Sequence, residues 1–360
     1  MKRKIAAVFL TATMLGLFSS CSQSVSGESQ EAMVDAVQED TEEQSAEVTM
    51  SPEESSISDR SEDVDTSAPV AKGSRIAVIA KSTKDEYWKA VKEGMKDAVS
   101  EINKAYGYKD EDKITMTFEG PDDEQKVTDQ INTIDAVLSE NPTVLCLSAI
   151  DADSCEAQLE TAHENGIPVV TFDSGLNSGL PDGICTSGNG KIGKIAATKL
   201  AEKLGSQGKV AIIAHSELGQ SSVTRVTAFQ KFMRDFPGIE VLDPVYDSEG
   251  QELSDVVQQL LDTNSDLAGI FCTNGAVSDV VLDCVQNSKR QDIAIVGVKS
   301  GREVGFVAQN PYEIGYQTIL EAIKAAEPGD LEDSEKHVWV KSQWIDSQNI
   351  KEFENTKYLL

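Results

Sequence analysis

Tyr87 and Trp88 follow the apolar run Ile76-Ala77-Val78-Ile79-Ala80 and the polar turn Lys81-Ser82-Thr83-Lys84-Asp85. The run reads as a buried strand and the two rings as the opening of a helix. They therefore fall at the carboxyl edge of a first parallel strand, the edge at which open α/β sheets bind ligands. Two rings there can form flat apolar walls for a small molecule, or they can simply pack the first helix onto its sheet. Three polar residues hold comparable positions later in the chain. Asp173 follows Val169-Val170-Thr171-Phe172; a carboxylate there accepts hydrogen bonds from hydroxyls, or caps a turn. Arg225 lies one helical turn before Phe229; its guanidinium can fork bonds to neighbouring oxygens, or stand in solvent. Asn274 ends the run Leu267 to Cys272; its amide both donates and accepts, or caps the next helix. This is the chemistry of recognition. No Ser-His-Asp arrangement, metal-ligand spacing or GxGxxG fingerprint is visible, and His163, His215 and His337 are scattered. Neither an enzyme nor a cofactor is expected.

The elements that must hold these residues alternate regularly. Apolar, β-branched runs suggest strands at 75–80, 114–118, 143–148, 167–172, 208–214, 239–245, 267–272 and 293–298. Helical patterns fall near 86–104, 122–139, 153–165, 189–204, 221–236, 251–262 and 276–288. Strand–helix alternation with short connections implies an α/β fold with doubly wound parallel sheets covered on both faces. There are too many strands for one compact sheet. They divide near Thr186-Ser187-Gly188-Asn189-Gly190, giving two lobes of the same plan with a cleft between their strand ends.

The amino terminus adds a different kind of information. Met1-Lys2-Arg3-Lys4 precedes a mostly apolar run from Ile5 to Phe18, then Ser19-Ser20-Cys21. Residues 1–20 read as a secretory signal, too short in its apolar core to span a bilayer comfortably. Small residues directly before Cys21 resemble the lipobox of bacterial lipoproteins, which implies cleavage before Cys21 and its lipidation, although Phe18 stands where Leu is usual. From Ser22 to Lys72 there are fourteen acidic residues against Arg60 and Lys72, and no aromatic. Such a stretch cannot bury enough apolar surface to offset chain entropy, so residues 21–73 are expected to be a disordered, extended tether. The net charge of −29 argues against nucleic acid or an anionic membrane surface as partner of the folded part. Beyond Cys21 there are five cysteines, an odd number without CxxC spacing, which excludes a complete disulfide framework.

Taken together, several segments resemble the type I periplasmic binding proteins of the ribose- and galactose-binding branch. They are Lys84-Asp85-Glu86-Tyr87-Trp88, Gly166-Ile167-Pro168-Val169-Val170-Thr171-Phe172-Asp173-Ser174, Gly193-Lys194-Ile195-Ala196-Ala197, Gln220-Ser221-Ser222 leading to Arg225, Phe271-Cys272-Thr273-Asn274, and Ala308-Gln309-Asn310-Pro311-Tyr312. The resemblance covers about residues 74 to 345. It implies two lobes joined by three crossings, near Ser187, Asn310 and His337, that close on a ligand. The amino-terminal lobe would comprise 74–186 with 310–336, and the carboxyl-terminal lobe 187–309 with 337–360.

The resemblance also assigns the site. Tyr87 and Trp88 would sandwich a sugar ring, and Asp85, usually Asn in the family, would bond its hydroxyls. Asp173, Arg225, Asn274 and the hinge residue Gln309 would contact the ligand. Two positions depart from ribose binders: Ser174 stands where they carry Arg, and Lys299 stands near where they carry Asp. Lys299 would bring donors where an acceptor is usual, which favours a ligand richer in acceptor oxygens, such as a sugar acid, a sugar phosphate or a modified sugar; or the short connection from Lys299 to Gln309 swings it into solvent, where it binds nothing. The implied protein is a monomeric lipoprotein, anchored outside the cytoplasm, that delivers a sugar-like ligand to an ABC-type permease. The alternative is a co-receptor that presents the same ligand to a membrane sensor kinase or chemoreceptor. A repressor of the same fold would need an amino-terminal helix-turn-helix, where this chain has a signal and tether.

Overall fold

The computed structural model describes residues 70–178, 181–248, 250–298, 304–327 and 336–353, together with Glu47, Val48, Val64 and Thr66. The signal, Cys21 and nearly all of the tether lie outside the described residues. The strands are β1 (Glu47–Val48), β2 (Arg75–Ile79), β3 (Thr115–Glu119), β4 (Val144–Leu147), β5 (Val169–Phe172), β6 (Gly183–Ser187), β7 (Gly208–Ala214), β8 (Ile239–Val241), β9 (Val245–Tyr246), β10 (Leu267–Cys272), β11 (Ala294–Gly297), β12 (Gly305–Ala308), β13 (His337–Val340) and β14 (Gln343–Asp346). The main helices are α1 (Glu86–Ala105), α2 (Val127–Ser139), α3 (Glu156–Glu164), α4 (Asn189–Leu204), α5 (Gln220–Met233), α6 (Leu253–Thr263), α7 (Gly275–Ser288) and α8 (Pro311–Ala325).

They form two sheets. The first has the order β1-β13-β6-β5-β4-β2-β3 and is wholly parallel. The second has the order β14-β12-β11-β10-β7-β8, with β9 also on β7, and only β14 runs antiparallel. Successive side chains point to opposite sides of a strand, and the inner strands β4, β5 and β11 are buried along their whole length, whereas the edge strand β3 has alternate residues exposed. In the first sheet Val78, Cys146 and Val170 face α1 and α8, whereas Ile79, Leu145 and Val169 face α2 and α3. The second sheet has α4 and α5 on one face and α6 and α7 on the other. The five cysteines at 146, 155, 185, 272 and 284 are free and buried.

One packing device recurs in both lobes. Glycines let paired helices approach backbone to backbone. A Cβ on Gly94 of α1 would stand 2.0 Å from the Tyr312 carbonyl oxygen, and one on Gly315 of α8 would stand 2.0 Å from that of Val91. In the second lobe a Cβ on Gly193 would stand 2.4 Å from the Arg225 carbonyl oxygen.

The chain passes between the sheets at Gly188, at Gln309–Asn310 and at Lys341–Ser342. The last passage corrects the expected one near His337. His337–Val340 pairs in parallel with Ile184–Ser187, so it extends the first sheet, and only β14 belongs to the second. The run expected as one strand over 239–245 is two, with Pro244 between them, where the missing N–H interrupts a ladder. Strands β1, β6, β12, β13 and β14 and helix α8 were not among the elements that periodicity predicts, and β1 lies within the expected tether, where Glu47–Val48 pairs with β13.

Candidate functional site

The carboxyl ends of both sheets face one cleft of about 180 Å³. Asp85, Tyr87, Trp88, Asp173, Arg225, Asn274 and Gln309 all line it, and Lys299 lies outside the described residues. The first lobe brings Asp173 to the end of β5 with φ +58°, a left-handed conformation that Asp tolerates better than most residues. The Tyr87 hydroxyl donates to Asp173 Oδ1 at 2.5 Å. Lys81 Nζ stands 3.2 Å from Asp173 Oδ2 and 3.6 Å from Glu124 Oε2. The Trp88 indole donates to Glu124 Oε1 at 2.7 Å, and its ring packs edge-on against Phe172.

Trp88 therefore joins the two uses expected of it. It lines the cleft, yet it is 1% exposed and belongs to the core under α1. Capping is realised at two other positions. Asp85 Oδ1 accepts the Trp88 amide at the start of α1, at 2.9 Å, and Asn274 Oδ1 accepts the Val277 amide at the start of α7, also at 2.9 Å.

Lys81 and Glu124 are cleft residues that sequence reasoning missed. The signal for Lys81 was a cation ending an otherwise apolar strand. Burial pulls its pKa down, but Asp173 and Glu124 outweigh that and hold it above the ordinary lysine value.

The second lobe supplies Arg225 from α5. It is 2% exposed, so the solvated reading fails. Its Nε donates to Asn189 Oδ1 at 2.8 Å and its Nη1 to the Thr273 carbonyl at 2.7 Å. Those two bonds fix the guanidinium plane. Gln309 joins two of the crossing segments, donating to Ser187 Oγ at 3.0 Å. Ser174, in place of the expected Arg, is fully buried.

His215 ends β7 with Nδ1 2.8 Å from Thr273 Oγ1. Burial, and then the charges of Lys81 and Arg225, push its pKa well below the ordinary 6.5. The unfolded chain therefore binds a proton near pH 6.5 that the folded chain refuses, so stability falls as pH drops below that value. The expected slope is about 1.4 kcal/mol per pH unit for this one proton. Urea titrations at pH 7 and pH 5 on the native chain and His215→Asn test it. An unchanged pH dependence in the variant would assign the acid sensitivity elsewhere.

A pair of doubly wound lobes whose strand ends converge on one polar, aromatic-walled cleft defines a bilobal ligand-binding protein. Residues 76–330 match the periplasmic binding protein domain, and the chain belongs to that family. Among curated relatives, the ribose import binding protein RbsB of Bacillus subtilis is 25% identical over 196 residues, spanning 52% of this chain and 64% of that protein. The D-allose-binding periplasmic protein of Escherichia coli is 20% identical over 275 residues, spanning 71% of this chain and 85% of the relative. Among solved structures, a solute-binding protein from Agrobacterium vitis with bound D-fucose superposes with a TM-score of 0.70 at 24% identity, over 79% of this chain and 99% of that one. One from Agrobacterium radiobacter with D-arabinose gives 0.69 at 23% identity, over 81% and 98%. These likenesses establish the type I periplasmic-binding-protein fold.

Proposed function

We propose that this chain is an extracytoplasmic solute-binding protein that captures a neutral sugar or sugar-like polyol between its lobes and delivers it to an ABC-type permease. The observation that carries this reading is the meeting, in one cleft, of Asp173, Lys81 and Tyr87 from one lobe with Arg225 and Asn274 from the other. Hydroxyl groups both donate and accept, and such a mixed set of fixed partners suits them. The aromatic rings of Tyr87 and Trp88 in the lining suit the apolar face of a sugar ring.

Charge narrows the class. The cleft lining holds five carboxylates against Lys81 and Arg225. An anionic ligand would meet net repulsion there, which weighs against the sugar acid or sugar phosphate that the Lys299 position suggested. A thermal-shift panel of D-ribose, D-allose, D-arabinose, D-fucose and xylitol, beside gluconate and ribose 5-phosphate, tests both points. A ligand at a hundred times its Kd adds about 2.7 kcal/mol of stability, visible as a raised melting temperature. At least one neutral compound should produce it and the anions should not. A flat panel would remove the sugar reading, and a response to the anions alone would reverse the charge assignment.

Lipidation at Cys21 belongs to the same proposal, since an anchor keeps the receptor near its permease. Recovery of the mature chain in the soluble fraction of lysed cells, without detergent, would overturn the anchor.

A further inference from the structure

Gln220 lies outside the cleft lining, yet it joins the two lobes. Its Oε1 accepts the Gly175 amide at 3.2 Å and its Nε2 donates to the Leu176 carbonyl at 3.1 Å. One side-chain amide thus spans two successive backbone groups of the opposite lobe. Around it the same rim is closed by further bonds. The Ala152 amide donates to the Leu218 carbonyl at 3.1 Å, and Gln125 Nε2 donates to the His215 carbonyl at 3.0 Å.

We propose that Gln220 sets the affinity of the cleft from outside it, by latching the lobes together through contacts that involve no ligand. The loop that carries the latch is prepared within its own lobe. Ser216 Oγ accepts the amides of Leu218 and Gly219, each at 3.0 Å, and the Ser216 amide donates to Ser222 Oγ at 3.2 Å. A loop already held in shape loses little freedom when it meets its partner. His215 and Ser221, at the two ends of this loop, both line the cleft, so closing the latch also sets cleft-lining groups of the second lobe against the first. Gly175 is shaped for it. A Cβ there would stand 2.4 Å from Gln220 Oε1. Ligand affinity falls in proportion to the fraction of molecules in the closed, binding-competent state, so a contact that favours closure tightens binding without touching the ligand.

The latch can be tested without any ligand. The Ala152 amide bonds across the lobes, whereas the Leu145 amide bonds to the Pro168 carbonyl inside the first lobe. In the ligand-free chain, Gln220→Ala should speed hydrogen exchange at Ala152 by about tenfold, the effect of losing two hydrogen bonds of ordinary net strength, and leave Leu145 unchanged. Gly175→Ala should do the same by displacing the Gln220 amide, and the double variant should add nothing further, because both act on one contact. Small-angle scattering should show the lobes further apart in each variant.

The affinity clause rests on the sugar reading, with D-ribose, D-allose and D-arabinose as probes. Gln220→Ala should raise Kd by about tenfold and quicken release. Unchanged exchange at Ala152 would overturn the latch. Faster exchange with unaltered Kd would overturn its control of affinity. If no neutral compound of the thermal panel binds, the sugar reading fails and exchange at Ala152 alone decides whether the lobes are latched.

Discussion

Asp173→Ala should destabilise the protein by about 3 kcal/mol or more and reduce sugar affinity by about a hundredfold. The stability loss arises because the carboxylate is a shared partner. The Tyr87 hydroxyl and the Lys81 ammonium both bond to it, and both side chains of the Lys81 pair are 6% exposed. Removing one member of a buried ion pair leaves the other charge without compensation. Glu124, 3.6 Å from Lys81, recovers part of the loss, which places the expectation at the lower end of the range for buried pairs. Alanine also suffers at φ +58°, where its Cβ is crowded. Asp173→Asn separates these causes, since it keeps an acceptor for Tyr87 and tolerates the left-handed conformation while removing the charge. Urea unfolding of both variants, with calorimetry on the sugar that responds in the thermal panel, reads the two effects. A stability within about 1 kcal/mol of the native chain for Asp173→Ala would show that Lys81 is held by other groups.

Gly315→Ala should be as damaging at a site that never meets ligand. The added methyl would stand 2.0 Å from the Val91 carbonyl oxygen and 2.8 Å from its carbon, both backbone atoms of α1 that cannot rotate away. Helices α1 and α8 must separate, and overpacking against backbone costs about 3 kcal/mol or more, a drop in melting temperature of about 6 °C or more. The effect should reach the cleft, because α1 begins at Glu86 and carries Tyr87 and Trp88 in its first turn. Calorimetric melting and sugar titration of Gly315→Ala, beside Gly193→Ala in the other lobe, check this. Gly193→Ala crowds α4 against α5, the helix of Arg225. A Gly315→Ala protein that melts like the native chain would mean that the two helices have slack the structure does not show.

Much of this architecture is legible in the amino-acid sequence because strands buried on both faces must be apolar throughout, as Val210 to Ala214 and Val144 to Leu147 are. Among the elements that escaped notice, β6 and β13 are those for which that rule is weak. Strand β6 reads Gly-Ile-Cys-Thr-Ser and alternates in burial, and β13 begins with an exposed histidine. Each lies beside a passage between lobes, where polar hinge residues dilute the apolar signal. The crossing expected near His337 was what the family resemblance implied, whereas β13 stays in the first sheet. Its partner β6 is more than a hundred residues away in the chain, and strand pairing over such a distance leaves no local mark.

The site divides along the same line. Asp85, Tyr87, Trp88, Asp173, Arg225, Asn274 and Gln309 could be named because the family resemblance implied them, Tyr87, Trp88, Asp173 and Asn274 also standing shortly after apolar runs, and all seven reach the cleft. Sequence by itself determined that apolar strands alternate with helices in two repeated units and which strand ends carry polar groups. Only the tertiary structure decided that Lys81 and Glu124 join Asp173 and Trp88 in one buried network, that Arg225 is buried, and that Gln220 bridges the lobes. The physical reason is that a charge or amide looks the same in sequence whether it is solvated or enclosed. Its energy, and therefore its role, depends on partners brought to it from the far side of a sheet or from the opposite lobe.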